Sequence, residues 1–120
     1  MNSKKVLILS IFIILFGALL MESKVIHKFL YPKKYSEYVE KYSKEFNLDE
    51  NIVYSVIKAE SKFNSSAVSK KEAKGLMQIL DITRDWGAEE LNLKNVDIFD
   101  PETNIRLGCW YLSKLYKEFG

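Results

Sequence analysis

The sequence has only one cysteine and one histidine, and this scarcity limits the sites that the protein can hold. Cys109 has no partner for an intrachain disulfide, and His27 has no second imidazole beside which to form a zinc site. We therefore expect no metal and no other cofactor. An excess of either charge is also lacking. Lys4 and Lys5 are the only charges in the first 21 residues, and the remaining 99 residues carry sixteen basic and sixteen acidic side chains. This balance argues against nucleic acid as a partner.

A single long apolar run stands near the N-terminus, at positions 6–21. It reads VLILSIFIILFGALLM, follows Lys4 and Lys5, and is closed by Glu22. Such a run predicts a signal-anchor or signal peptide over 1–21 and a juxtamembrane linker over 22–34. No clear small-x-small cleavage site follows, so an uncleaved membrane helix is favoured. The expected location is the cell membrane, single-pass with the domain on the extracytoplasmic side, or secretion if the chain is cut near Glu22.

The rest of the chain has helical periodicity and no strand pattern of matching strength. Apolar residues recur every three or four positions from Tyr35 to Phe46, which predicts a first helix. Asp49 is the expected N-cap of a second helix, and Asp100 with Pro101 is the expected start of a closing one. A further helix is predicted around Thr83–Leu91. The predicted fold class is all-α, with four helices outside the membrane.

One carboxylate breaks the apolar stripe of the second helix. Ile52, Val56 and Glu60 lie four residues apart, so Glu60 falls on the face that the pattern reserves for hydrophobic residues. Burial would raise the pKa of this acid and suit it to general acid catalysis. The alternative is a solvated helix-end glutamate that pairs with Lys58 or Lys62.

The sequence after this acid carries a specific motif. From Glu60 the chain reads ESKFNSSAVSKKEAKGLMQILDIT, and a later segment reads DPETNIRLGCWYLSKLYKEFG. Together they resemble the lytic transglycosylases of the SLT (soluble lytic murein transglycosylase, goose-lysozyme-like) family. The family patterns are E-S-x-F/W-N, A-x-S and G-A-x-G-L-M-Q-I-M-P-x-T, followed by D-P-x-x-N-I-x-x-G-x-x-Y-L. The resemblance covers about residues 35–120 and implies a lysozyme-like SLT catalytic domain.

The resemblance also implies an activity and a partner, the glycan strands of peptidoglycan. Glu60 would protonate the β-1,4 bond between N-acetylmuramic acid and N-acetylglucosamine. It would then take the proton of the muramoyl C6 hydroxyl, which attacks C1 and yields a 1,6-anhydro sugar. Positions that match the family's substrate contacts or cleft walls are Ser61, Ser69, Gly75, Met77 and Gln78.

The sequence departs from the family pattern at several positions. Glu72 stands where the family usually has glycine, so a turn needing positive φ would be strained there. Leu80 replaces a methionine of the cleft, and Asp81 replaces a proline but is expected to cap the following helix. The family's A-Y-N-A-G segment would lie beyond Gly120 and is lacking, so 35–120 is interpreted as a partial SLT domain. Either the domain is a truncated version, or a partner protein or a second copy completes the cleft.

Two other functions stay open at this point. A catalytically inactive, truncated relative would bind glycan or a partner protein without turnover. A hydrolase of lysozyme type would leave reducing ends instead of anhydro sugars.

Overall fold

Four α-helices form the folded part of the protein in a computed structural model that describes residues 3–5, 7–8, 10–11 and 34–119. They are α1 (Ser36–Glu45), α2 (Glu50–Ser61), α3 (Asp81–Glu90) and α4 (Pro101–Phe119). Bridges in the described residues are confined to two isolated antiparallel pairs, Val68 with Lys74 and Lys74 with Ile79. The predicted all-α class is confirmed.

Two helix starts use the predicted capping residues. The carboxylate of Asp49 accepts the backbone N–H of Asn51 at 2.8 Å at the start of α2. The carboxylate of Asp100 accepts both the N–H and the hydroxyl of Thr103, at 3.0 and 2.8 Å, while Pro101 is the first residue of α4. Each bond satisfies a backbone or side-chain donor at a helix terminus that would otherwise have no partner.

The predicted cap at Asp81 is wrong. Leu80 holds the N-cap position of α3 without a side-chain bond, and Asp81 is the first helical residue. The carboxylate of Asp81 instead accepts from Nζ of Lys74 at 3.1 and 3.2 Å and lies 3.4 Å from the guanidinium of Arg84. A negative charge in the first turn still favours the helix, because it faces the positive end of the helix dipole.

The last helix is the centre of the fold. It packs against both α1 and α3, and α1 in turn packs against α2. Nine residues of α4 are buried, which its all-round contacts require: Asn104, Ile105, Leu107, Gly108, Cys109, Trp110, Tyr111, Leu112 and Leu115. The same core includes Val53 and Ile57 of α2, so the apolar face of α2 fixes where its C-terminal turn lies.

The predicted membrane helix falls largely outside the described residues, as does the predicted linker up to residue 33. None of the helices in the described part of the chain is both long enough and apolar enough to span a bilayer. Those residues of the apolar run that are described lie against the folded part: Ile11 is buried, and Leu7 and Ile8 pack on the core. Nζ of Lys4 lies 4.8 Å from the ring centroid of Trp86.

Candidate active site

A cavity of about 700 Å³ brings Glu60, Ser69 and Gln78 together. Two segments of the chain supply the rest of its lining. The loop after α2 contributes Lys70, Lys71, Ala73 and Leu80, and the N-terminal residues contribute Ser3, Leu7, Ser10 and Ile11. Three of the residues predicted from the sequence therefore face one common space.

Glu60 lies in the last turn of α2, where the helix stops abruptly. Lys62 and Phe63 follow with φ values of 51° and 63°, in the left-handed region that ends helices. The ring of Phe63 is buried, so the chain turns back into the core directly after the helix. Because the helix ends here, no further helical turn covers the Glu60 side chain, which faces the cavity.

The carboxyl of Glu60 is half-buried and has no charged partner. Burial raises its pKa from 4.5 to about 7, and it is the one cause of the shift. Within the described residues no hydrogen bond or ion pair holds this side chain, so the pairing with Lys58 or Lys62 is not formed. The arrangement provides a carboxylic acid that keeps its proton near neutral pH and can still reach the cavity.

The segment Gly75–Gln78 forms a tight turn beneath the cavity. Lys74 and Ile79 exchange two backbone hydrogen bonds, of 3.0 and 2.9 Å, and so close the turn. Gly75 has a φ of +79°, and a Cβ there would come within 2.8 Å of the Asn104 amide carbon and 3.0 Å of a backbone oxygen. Glycine is required at this position for both its conformation and its lack of a side chain.

Gln78 closes the turn with its side-chain amide held in one orientation. Its Nε2 donates to the backbone oxygens of Ala67 at 3.2 Å and Gly75 at 3.0 Å. Because both partners are acceptors, the amino group must face them and the amide oxygen faces away. No other bond to this side chain is formed within the described residues, so Oε1 is available to accept an N–H from a ligand.

Ser69 starts a second tight loop on the cavity wall. Its N–H donates to the oxygen of Ala73 at 2.9 Å, and its Oγ accepts the N–H of Ala73 at 3.0 Å. The hydroxyl proton is then free to donate to a ligand. Glu72 in this loop has a φ of +65°, so the position does need the left-handed conformation, and a glutamate adopts it.

Asn104 is a residue whose importance the sequence reasoning missed. It is fully buried, and its Oδ1 accepts the N–H of Met77 at 2.7 Å. Its Nδ2 donates to the oxygens of Lys74 at 2.9 Å and Ile98 at 2.7 Å. The amide thus ties the Gly75–Gln78 turn to α4. The signal was a polar residue beside Ile105 at the start of a largely buried helix.

The remaining residues singled out from the sequence, Ser61, Met77 and Gly75, make contacts within the fold and do not line the cavity. Ser61 is buried and its hydroxyl donates to the oxygen of Ile57 at 3.1 Å. Met77 is buried against Gly108, where an added Cβ would lie 2.8 Å from the Met77 Cβ. Ser61, Met77 and Gly75 are all absent from the described residues that line the cavity. A direct role in substrate binding stays a prediction for all three. Among the described residues there is also no cluster of side chains suited to a metal ion.

The chain is similar to known proteins over most of the folded part. The family described as Transglycosylase SLT domain matches residues 37–120. A membrane-bound lytic murein transglycosylase C of Edwardsiella ictaluri is 33% identical over 95 residues, which cover 72% of this chain and 25% of that protein. The chain therefore spans about a quarter of the length of this curated relative.

Two solved structures share the fold. An inactive mutant of the lytic transglycosylase Slt from Pseudomonas aeruginosa superposes with a TM-score of 0.70 and 26% identity, over 74% of this chain and 15% of that one. The 70 kDa soluble lytic transglycosylase of Escherichia coli gives a TM-score of 0.69 and 28% identity, over 75% and 15%. With the predicted motif, the four-helix fold and the family match in agreement, this chain belongs to the Transglycosylase SLT domain family.

Proposed function

We propose that the protein is a peptidoglycan lytic transglycosylase. It cleaves the β-1,4 bond between N-acetylmuramic acid and N-acetylglucosamine and forms a 1,6-anhydro end, with Glu60 as general acid and base. The observation that carries the proposal is the unpaired carboxyl of Glu60, whose pKa is about 7, in one cavity with Ser69 and Gln78. The names of the relatives, which are lytic transglycosylases, support the same reaction.

Glu60 is the proton donor in the first step of the reaction and the proton acceptor in the second. In the first, Glu60 gives its proton to the glycosidic oxygen as the bond from that oxygen to C1 breaks. In the second, the C6 hydroxyl oxygen of the muramoyl sugar bonds to C1, and its proton passes to the Glu60 carboxylate. The acid is thereby regenerated. A pKa near the working pH serves both directions, since neither protonation state is far from the other in free energy.

The absence of a second acid in the cavity lining favours the intramolecular route. Most glycosidases pair two carboxyl groups, one as the acid and one that activates water or attacks C1. Among the described residues that line this cavity, Glu60 is the only acid. The C6 hydroxyl already belongs to the substrate and is held near C1, so it needs no second carboxylate to bring it there.

Gln78 and Ser69 would orient the sugar for this attack. The fixed Oε1 of Gln78 can accept the N–H of an N-acetyl group, and the hydroxyl of Ser69 can donate to a sugar or acetyl oxygen. Both residues are held by backbone hydrogen bonds, so substrate binding costs little additional side-chain order.

The direct test is the product. The full chain is incubated with purified peptidoglycan, and the soluble muropeptides are identified by mass spectrometry. We expect anhydro-muramic ends from the native protein and from Glu37→Gln, which changes an exposed acid of α1. Glu60→Gln should give a loss of at least about a hundredfold, the lower range for removing a general acid.

Each alternative predicts a different outcome of this assay. Reducing ends in place of anhydro ends would show a hydrolase and contradict the proposed route. Binding to peptidoglycan without any product, from a folded native chain, would show an inactive relative. Equal product from the native protein and Glu60→Gln would remove Glu60 from the chemistry.

A location at the cell membrane is part of the proposal. It is supported by the curated relative's name, which calls that protein membrane-bound, and by the apolar run at 6–21. Cell fractionation tests it: the protein should sediment with membranes and resist extraction by salt. Recovery in the soluble fraction would contradict this location without bearing on the reaction.

A further inference from the structure

Positive charge is concentrated in the segment that forms the catalytic cavity. Positions 58–74 hold five lysines and two glutamates, whereas the other residues from 34 to 119 hold eight basic and thirteen acidic side chains. One of the two glutamates is Glu60, which is neutral for much of the time near pH 7 because burial raises its pKa. A basic cavity region thus lies on an otherwise acidic fold.

Two of these lysines line the cavity itself. Lys70 and Lys71 are exposed, and neither forms an ion pair with any described residue. Lys74, by contrast, is bound to the carboxylate of Asp81 at 3.1 Å. Glu72 belongs to the same loop but is not part of the cavity lining. The loop therefore presents two uncompensated positive charges to whatever enters the cavity.

The raised pKa of Glu60 shows no influence of these two charges. A neighbouring cation would lower the pKa of a carboxyl, yet burial is the one cause that acts on Glu60, and it raises the pKa. Lys70 and Lys71 are therefore assigned no role in proton transfer. Their charges are placed to act on parts of a ligand that flank the reacting bond.

Peptidoglycan carries anionic groups at the required place. The peptide stem is attached to the lactyl group of the muramoyl sugar, next to the bond that the proposed reaction breaks, and stems end in and contain carboxylates. With the muramoyl sugar bound at Glu60, its stem would extend from the lactyl group past the cavity walls, which Lys70 and Lys71 help to form. An exposed lysine pairs weakly with one carboxylate, but two lysines on one loop act together.

We infer that Lys70 and Lys71 select glycan strands whose peptide stems carry free carboxylates. This inference rests on the proposed function. It assigns to the two lysines a role in substrate choice and not in the chemical step, so their removal should change the preference between substrates more than the rate on an uncharged one.

The test compares two substrates that differ in charge alone. Peptidoglycan freed of secondary wall polymers is used as it is, or after its carboxylates have been converted to amides with a carbodiimide and ammonia. The full chain, its Lys70→Gln/Lys71→Gln variant and a control, Lys44→Gln/Lys94→Gln, are assayed for anhydro products at low and high salt. The control removes the same charge from two exposed lysines outside the cavity.

We expect the native protein and the control to cleave the free-carboxylate strands roughly three- to tenfold faster than the amidated ones at low salt. The preference should shrink at high salt, where exposed charges are screened. It should be largely lost in Lys70→Gln/Lys71→Gln. An equal preference in all three proteins, or no preference in the native protein, would overturn the inference.

Co-sedimentation with the same two substrates separates this inference from the proposed function. If no protein gives product, but the native chain binds free-carboxylate strands better and the cavity variant does not, the inference stands and the proposed reaction fails. If products form without a charge preference, the reaction stands and the inference fails.

Discussion

At the scale of single residues, the burial of the Glu60 carboxyl lowers the stability of the fold once this group ionises. Its pKa of about 7 in the folded protein lies above the ordinary value of 4.5. As the pH rises from 4.5 to 7, the unfolded chain loses this proton before the folded one does. Ionisation therefore favours the unfolded state, and the penalty is absent below pH 4.5 and complete above pH 7.

Glu60→Gln should for this reason stabilise the fold at high pH only. A shift of this size corresponds to about 3 kcal/mol for a fully buried group, and the partial exposure of Glu60 lowers the expected gain at pH 8 to about 1–2 kcal/mol. Thermal unfolding of the variant and the native chain at pH 4 and pH 8 measures it. Glu37→Gln serves as the control and should change neither value by more than about 0.5 kcal/mol. Equal stabilities of Glu60→Gln and native protein at pH 8 would mean that the carboxyl is not desolvated.

The sequence predicted the burial of Glu60 but not the orientation of the Gln78 side chain. The spacing from Ile52 through Val56 placed the acid on a buried face, and this is confirmed, since burial perturbs its pKa. The orientation of the Gln78 amide follows from two backbone oxygens of a distant loop and a turn, which no periodicity encodes.

At the scale of elements, the Gly75–Gln78 turn depends on α4 for its position. The Asn104 amide accepts the N–H of Met77 in the turn and donates to the backbone oxygen of Lys74, which directly precedes it. A third hydrogen bond joins the same amide to the backbone oxygen of Ile98. Loss of these bonds would leave buried backbone groups without partners, and such groups are costly. The turn carries Gln78, so a loose turn also disorders one wall of the cavity.

Asn104→Ala should destabilise the fold by about 3 kcal/mol, the cost of leaving buried polar groups unpaired. It should also reduce product release under conditions where the variant is still folded, because Gln78 is no longer fixed. Chemical unfolding and the muropeptide assay measure the two effects. Asn51→Ala, at an exposed position of α2, is the matched control and should stay within about 0.5 kcal/mol of the native protein. A loss of stability with full activity would show that Asn104 stabilises the fold but is not needed to position Gln78.

The starts of helices were predictable where a side chain close in sequence caps the helix. Asp49 and Asp100 cap their helices as expected, because an N-cap bond spans only two or three residues of sequence. Asp81 was predicted as a cap and is instead the first helical residue, bound to Lys74. That lysine lies seven residues earlier and reaches Asp81 only because the intervening turn folds back, which is tertiary information.

At the scale of the whole molecule, the fold combines an acidic body with a basic cavity region. The helix class and the order of helices followed from periodicity and capping residues, because both signals lie within a few residues of the helix that they describe. The N-terminal run was different: its apolar character predicted a membrane helix. Leu7, Ser10 and Ile11 of that run line the cavity, and Lys4, just before the run, lies over the ring of Trp86. These placements depend on which apolar surface the fold leaves open.

The proposed reaction depends on a carboxylic acid that stays protonated near neutral pH. Cleavage should then decline as the pH rises through about 7, because the fraction of Glu60 able to donate its proton falls tenfold per pH unit beyond its pKa.

A carbon NMR titration of the Glu60 carboxyl in the full-length chain measures that acid directly. Comparison with the spectrum of Glu60→Gln assigns the signal. We predict a midpoint of about pH 7, the value that burial gives this group. A midpoint near the ordinary 4.5 would contradict the account, since the carboxyl would then have no proton to donate at neutral pH.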